Sequence, residues 1–235
     1  MSLEQTLREG FEALGLPQDG RMLERYRIYA DFLAEKNAVM NLTAIEGEDE
    51  VARLHFLDCA ALLTVCELEG KSLIDVGTGA GFPGLALKIA CPALKLTLLD
   101  SLDKRIGFLR ECSTRLGFED VACVHARAEE APAGFRAGFD AAASRAVARL
   151  RVLSELCLPL VRKGGVFLAM KGPDCAEELE EAMPAIRLLG GELERVAGYT
   201  IPGTEIRHSL VIIRKTGDTP ARYPRPWAQI RKKPL

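Results

Sequence analysis

The stretch LIDVGTGAGFPG, Leu73 to Gly84, constrains the fold more than any other part of the chain. A short apolar run ends in Gly77, Gly79 and Gly81 at alternate positions, and Pro83 and Gly84 then open the helical segment GLALKIAC. Glycines at such a turn permit positive φ and let main-chain N–H groups approach a ligand with no Cβ in the way. Pro83 suits the first turn of a helix, where its missing N–H has no intrahelical partner. The stretch therefore predicts a strand that turns sharply into a helix and holds a ligand at the turn.

The residues on either side agree with that unit. From Lys71 the apolar runs SLIDV, KLTLLD, VACVHA, FDAAAS and GGVFLAMK alternate with the helical segments GLALKIAC, DKRIGFLRECSTRLG and ARLRVLSELCLPLVRK and the short acidic segment AEE. Continuous apolar strands separated by helices imply a parallel sheet covered on both faces. After AEELEEAMPAIRLLGG, the runs GELERVAGYTIP and RHSLVIIRKT follow each other directly and predict a hairpin at one edge. Upstream, Met22, Tyr26, Tyr29 and Leu33 form one helical stripe, Asn37 to Thr43 interrupts it, and EDEVARLHFLDCAALLTVCEL restarts it through Val51, Leu54, Ala61 and Val65. The expected fold class is α/β: a mostly parallel sheet with a terminal antiparallel hairpin and a helical N-terminal extension. The expected division is residues 1–70 for the extension, 71–216 for the sheet domain, and 217–235 for a Pro-rich basic tail extended over the surface.

Composition narrows the function classes. A net charge of −2 argues against a uniformly basic nucleic-acid coat, so any such patch is local. No apolar run is long enough to span a bilayer, and the first residues are amphipathic rather than signal-like. Seven cysteines without a CxxC pair read as core thiols in a reducing cytoplasm, with neither the spacing nor the Cys/His cluster of a zinc site. Nothing in the sequence calls for an obligate protein partner.

The glycines alone admit two ligands. From Gly79 they read GxGxxG, a dinucleotide fingerprint; from Gly77 they read GxGxG, as in enzymes that bind S-adenosylmethionine. Asp100 ends the second strand and can accept hydrogen bonds from ribose hydroxyls, which NAD and S-adenosylmethionine both carry. Asp75 separates the two, because a carboxylate two residues before the first glycine suits a ligand with a cationic amino-acid portion. S-Adenosylmethionine has that portion and NAD lacks it.

At this point the motifs match a known family. NLT (Asn41–Thr43), HFLDC (His55–Cys59), DVGTGAGFPG (Asp75–Gly84), LLDSLDKRIGFL (Leu98–Leu109), SRAVA (Ser144–Ala148), MKG (Met170–Gly172) and RHSLVII (Arg207–Ile213) occur in that order. Together they resemble the bacterial 16S ribosomal RNA guanine-N7 methyltransferases, the glucose-inhibited division protein B family. The resemblance implies a Rossmann-like methyltransferase that modifies one guanine in the small-subunit RNA, in the 530 loop near the decoding site. By the same resemblance, Gly77 and Phe82 line the S-adenosylmethionine pocket, and Asp100, Ser101 and Leu102 take the ribose and adenine. Ala128 and Glu129 contact the adenine end, and Arg145 of SRAVA belongs to the same pocket. The chain departs from the family at Cys59, where Ser is usual, and in the tail, where RYPRPWAQIRKKPL places Trp227 in the usual Pro-Gly continuation.

Guanine N7 carries a lone pair and no proton, so its methylation needs no general base and no covalent nucleophile. Catalysis reduces to alignment and desolvation, and no catalytic acid, base or nucleophile is expected. Methylation of a pyrimidine C5 would instead need a thiol such as Cys59 or Cys175. Arg53, His55, Lys171, Arg207 and His208 stand beside element ends and are the candidate contacts to the RNA or small-subunit particle. Arg222, Arg225, Arg231, Lys232 and Lys233, interleaved with Tyr223 and Trp227, form a second candidate RNA surface. The alternatives of other classes are an NAD-dependent oxidoreductase and a non-catalytic RNA-binding protein that keeps the fold.

Overall fold

The computed structural model describes residues 1–145 and 148–235; Ala146 and Val147, inside the SRAVA motif, lie outside the described residues. Helix α1 (Leu3–Ala13) is capped by the Ser2 hydroxyl, and α2 (Gly20–Met40) by the Asp19 carboxylate on the Met22 N–H. The stripe Met22, Tyr26, Tyr29 and Leu33 is buried, as its spacing predicts. The expected interruption at Asn37 is displaced: the helix runs on to Met40 and ends at Asn41, φ 50°. Asn37 acts from within the helix, its side chain pairing with both the N–H and the C=O of Thr43.

The restart after Thr43 is not a regular helix. Helix α3 (Glu48–Val51) passes into a π-helical segment, Ala52–Leu57, and then into α4 (Asp58–Ala60). The wider π turn breaks the 3.6-residue rhythm, so Leu54 and Val65 of the expected stripe are only partly buried. It also carries His55 and Asp58 into the interior, where both are buried.

The sheet domain starts with β1 (Ser72–Val76), α5 (Gly84–Ala90), β2 (Lys95–Asp100), α6 (Asp103–Arg115) and β3 (Ala122–His125). It continues with β4 (Phe139–Arg145), α7 (Leu150–Cys157), β5 (Val161–Lys171) and α8 (Ala176–Leu188), and finishes with the hairpin β6 (Gly191–Thr200) and β7 (Arg207–Lys215). Strand β5 begins at Val161 rather than near Gly164, directly after the short 3-10 turn Leu158–Leu160 that holds Pro159. The seven strands lie in the order β3-β2-β1-β4-β5-β7-β6, and β7 is antiparallel to both its neighbours. A dinucleotide fold closes this edge in the order 4-5-6; here β7 separates β5 from β6.

Alternate residues of β1 feed two cores. Leu73 packs with α1, α2, α5 and α6, whereas Ile74 and Val76 pack with α7 and α8. The tail belongs to the second core, which corrects the expectation that it lies extended on the surface. Tyr223 and Ile230 are buried there, Trp227 packs against it, and residues Trp227–Lys232 form helix α9. The guanidinium of Arg225 is spent on the fully buried Glu155. Arg225 and Tyr223 are therefore not available to an RNA, leaving Arg222, Arg231, Lys232 and Lys233 exposed. None of the described helices is long and apolar enough to cross a membrane.

Candidate active site

Strand order reverses between β1 and β4, and a crevice opens beyond the carboxyl ends of the strands at that point, the usual ligand position in an α/β sheet. The glycine turn forms its floor. Gly77, Gly79 and Gly81 have φ of 70°, 61° and 102°. Gly79 faces open space, while a Cβ on Gly81 would strike the Tyr29 hydroxyl. That hydroxyl donates to the Ala80 carbonyl at 2.5 Å, and Tyr26 donates to the Ala86 carbonyl at 2.9 Å, so the helical stripe read in the sequence braces the turn and α5.

Asp75 shares the side of β1 that faces α5. Its Oδ2 accepts the Gly84 N–H at 2.8 Å and the Thr78 hydroxyl at 2.7 Å, and a Cβ on Gly84 would lie 2.9 Å from that carboxylate. Gly84 thus serves close helix packing. Asp75 is fully buried beneath the crevice rather than lining it, and among the described residues Oδ1 has no hydrogen-bond partner. Burial pushes its carboxyl up to about 6. Because the folded pKa is raised, the contribution of this group to stability is present below about pH 4 and is lost as pH rises through about 6. Asp75→Asn is expected to gain stability relative to the parent chain across that window, measured by denaturant unfolding at a series of pH values. Parallel pH profiles for the two chains would remove this account.

Asp100 sits at the lip of the crevice. Its Oδ2 accepts the Gly79 N–H at 2.9 Å and lies 3.4 Å from the Arg105 guanidinium; its Oδ1 accepts the Leu102 N–H at 2.9 Å. The Leu102 side chain itself is turned outward. Three adjoining cavities meet along this line. A central one of about 390 Å³ is walled by Thr43, Gly77, Gly79, Phe82, Asp100 and Arg145, among others. A smaller one of about 230 Å³ shares Gly77, Asp100 and Ser101 with it and reaches Ala128, Glu129 and Trp227. An outer one of about 500 Å³ shares His55 and Arg145 with the central cavity and is completed by Asp58, Met170, Lys171, Ile206 and His208.

The joint between central and outer cavities is a hydrogen-bonded chain centred on Asp58, a residue within HFLDC that the sequence reading did not single out. Asp58 is 1% exposed. Its Oδ2 accepts Arg145 at 3.1 Å, and its Oδ1 accepts both the Tyr199 hydroxyl and His208 Nδ1 at 2.8 Å. Arg145 also donates to His55 Nδ1 at 2.9 Å, which leaves His55 Nε2 to donate to the Thr43 hydroxyl at 2.8 Å. Burial, assisted by the Arg145 charge, lowers His55 to about 3 and keeps it neutral. The hydrogen bond to Asp58 raises His208 above the ordinary histidine value. His55 stacks on Phe82 with ring centroids 4.2 Å apart, and Arg145 lies over the same ring at 4.9 Å.

The five candidate RNA contacts divide. His55 and His208 line the outer cavity, and Arg207 is exposed at the start of β7 beside it. Lys171 also lines it, but its ammonium is held by the Ala148 carbonyl and Glu178. Arg53 is held by Asp49 and the Pro202 carbonyl and lies outside the three cavities. Among the described residues, no cysteine lines the central or outer cavity. Cys59 is fully buried, and burial pushes its thiol far up, away from nucleophilic thiolate.

The comparisons with known proteins fit this geometry. P. horikoshii TYW2, solved in complex with MeSAdo, matches with a TM-score of 0.55 at 12% identity, over 68% of this chain and 62% of that one. M. jannaschii TYW2, solved in complex with AdoMet, matches with a TM-score of 0.52 at 11% identity, over 67% and 74%. At that identity they establish the Rossmann-like fold. Sequence relatives are much nearer. A ribosomal RNA small subunit methyltransferase G of Lachnoclostridium phytofermentans is 46% identical over 98% of this chain and 96% of its own length. One from Alkaliphilus metalliredigens is 46% identical over 100% of both. The family model described as rRNA small subunit methyltransferase G matches residues 22–208, and the chain belongs to that family of ribosomal RNA methyltransferases.

Proposed function

We propose that the chain transfers the methyl group of S-adenosylmethionine to N7 of a guanine in the 530-loop region of 16S ribosomal RNA. The observation that carries this reading is the line of three adjoining cavities, with Asp100 between the first two and Arg145 with His55 between the last two. The residues fit the cofactor. Asp100 keeps acceptor capacity at the lip, Gly79 presents an open surface, and Glu129 Oε1 is buried without a hydrogen-bond partner among the described residues. Asp100, Ser101, Leu102, Ala128 and Glu129 hold the adenosine in this reading, and Gly77, Gly79 and Phe82 flank the rest of the molecule. Asp75 and Gly81 act from below by fixing the turn. S-Adenosylmethionine, when bound, supplies a methyl carbon made electrophilic by the adjoining sulfonium.

The chain's own part is placement. Guanine N7 is already nucleophilic, so the outer cavity has only to present the Hoogsteen edge toward the joint and exclude water. Arg145, held on three sides by Asp58, the Leu54 carbonyl and His55, cannot turn freely. It offers a fixed donor direction suited to guanine O6 or a phosphate. His208 is fixed through Nδ1, which leaves Nε2 for the base or its backbone. Arg207 is exposed beside the cavity mouth and suits the RNA backbone.

The test is mass mapping of the modified nucleotide after reaction with ribosomal RNA, or small-subunit particles, from a strain lacking the modification. The methyl is expected on one guanine at N7. A methyl on any other atom would overturn the chemistry while leaving the fold intact. A matching test of Arg145 is its replacement by Ala, which is expected to reduce methyl transfer by more than its effect on unfolding accounts for. Normal turnover in that variant would make Arg145 merely structural.

A further inference from the structure

The tail offers an observation that an RNA-binding role does not explain. Trp227, the single tryptophan of the chain, lines the same small cavity as Gly77, Asp100, Ala128 and Glu129. In that cavity the Glu129 side chain is 4% exposed, and among the described residues its Oε1 has no hydrogen-bond partner, the nearest cation being Arg127 at 4.0 Å. A buried acceptor without a donor, in a cavity also lined by an indole, suits a flat heteroaromatic ring that carries hydrogen-bond donors.

The position of the indole is fixed by the chain around it. Two residues earlier, Arg225 gives three hydrogen bonds to the fully buried Glu155: from its backbone N–H at 2.9 Å, Nε at 2.8 Å and Nη2 at 2.6 Å. Arg136 donates to the carbonyls of Thr219 and Tyr223, both at 2.7 Å. Three residues later, Ile230 is fully buried in the core beneath. A segment that only tracked phosphates would not spend Arg225 in the interior.

We propose that the C-terminal tail is part of the cofactor site, with Trp227 as an aromatic wall of the adenine subsite and the Arg225–Glu155 pair as the fastening that holds it there. The inference rests on the reading of the crevice as an S-adenosylmethionine site. It reassigns the tail from RNA contact to cofactor binding.

Trp227 is its own reporter, because no other tryptophan contributes to the emission. The full-length protein is titrated with S-adenosylhomocysteine in parallel by calorimetry and by tryptophan fluorescence. Calorimetry is expected to give saturable binding, with a fluorescence change following the same Kd. Trp227→Ala is expected to weaken the calorimetric Kd roughly ten-fold or more, the scale of an aromatic stack on a base, at a temperature where circular dichroism shows the variant still folded. Trp227→Phe is expected to restore most of the affinity. Calorimetric binding with silent fluorescence and an unaltered Kd in Trp227→Ala would overturn the tail's role and leave the cofactor reading standing. Absence of any calorimetric binding to the parent chain would overturn both.

Discussion

Replacing Asp58 by Ala is expected to cost about 3–5 kcal/mol of stability, the usual consequence of removing one partner from a buried ion pair. The size follows from what the carboxylate serves. It is 1% exposed and receives Arg145, His208 and Tyr199, so its loss strands a mostly buried guanidinium and two further donors. Asp58→Asn separates placement from folding, because an amide keeps one acceptor oxygen and much of the packing while losing the charge. That variant is expected to stay folded and to lose methyl transfer well beyond its loss of stability, since Arg145 and His208 then have no common anchor. Denaturant unfolding of the Ala variant and single-turnover transfer by the Asn variant check the two halves. A stability change below about 1 kcal/mol, the range of an exposed pair, would show that the cluster is not the keystone of the joint.

The fold was legible where periodicity and turn chemistry carried it. Short apolar runs alternating with helical segments located the strands of the sheet, and the hairpin followed from two adjacent runs with no helix between them. The glycine turn and Asp100 were readable because a backbone-lined ligand crevice needs those residue types at those places. Asp58 was not, although it stands within a quoted motif. Its importance arises from partners 87, 141 and 150 residues away, a coincidence that local pattern does not encode. The π turn at Ala52–Leu57 hid it further by breaking the helical rhythm that would have marked its face. Asp75 was read as a partner for the cationic amino-acid portion of a ligand, whereas in the fold its carboxylate braces Gly84 and Thr78 from below the crevice. The tail misled for a related reason. Basic residues and prolines suggest a solvated strap, while the burial of Glu155 that captures Arg225 appears only when the chain is folded.

Replacing Asp100 by Ala is expected to weaken S-adenosylhomocysteine binding by roughly 1.5–3 kcal/mol, the range for hydrogen bonds to a charged group, or about one to two orders of magnitude in Kd. Two effects add in this variant. The ribose loses its acceptor, and the Gly79 and Leu102 N–H groups lose theirs, so the glycine turn loses its tie to the end of β2. Asp100→Asn divides them, because the amide oxygen can still accept one of these N–H groups while the charge is gone. If the ribose contact dominates, Asn behaves like Ala in calorimetric affinity. If loop support dominates, Asn recovers much of the loss and both variants lose stability without ligand. Unchanged affinity in both would remove Asp100 from the cofactor site. It would also count against reading the central and adenine cavities as one cofactor site, because among the described residues Asp100 is one of three that line both.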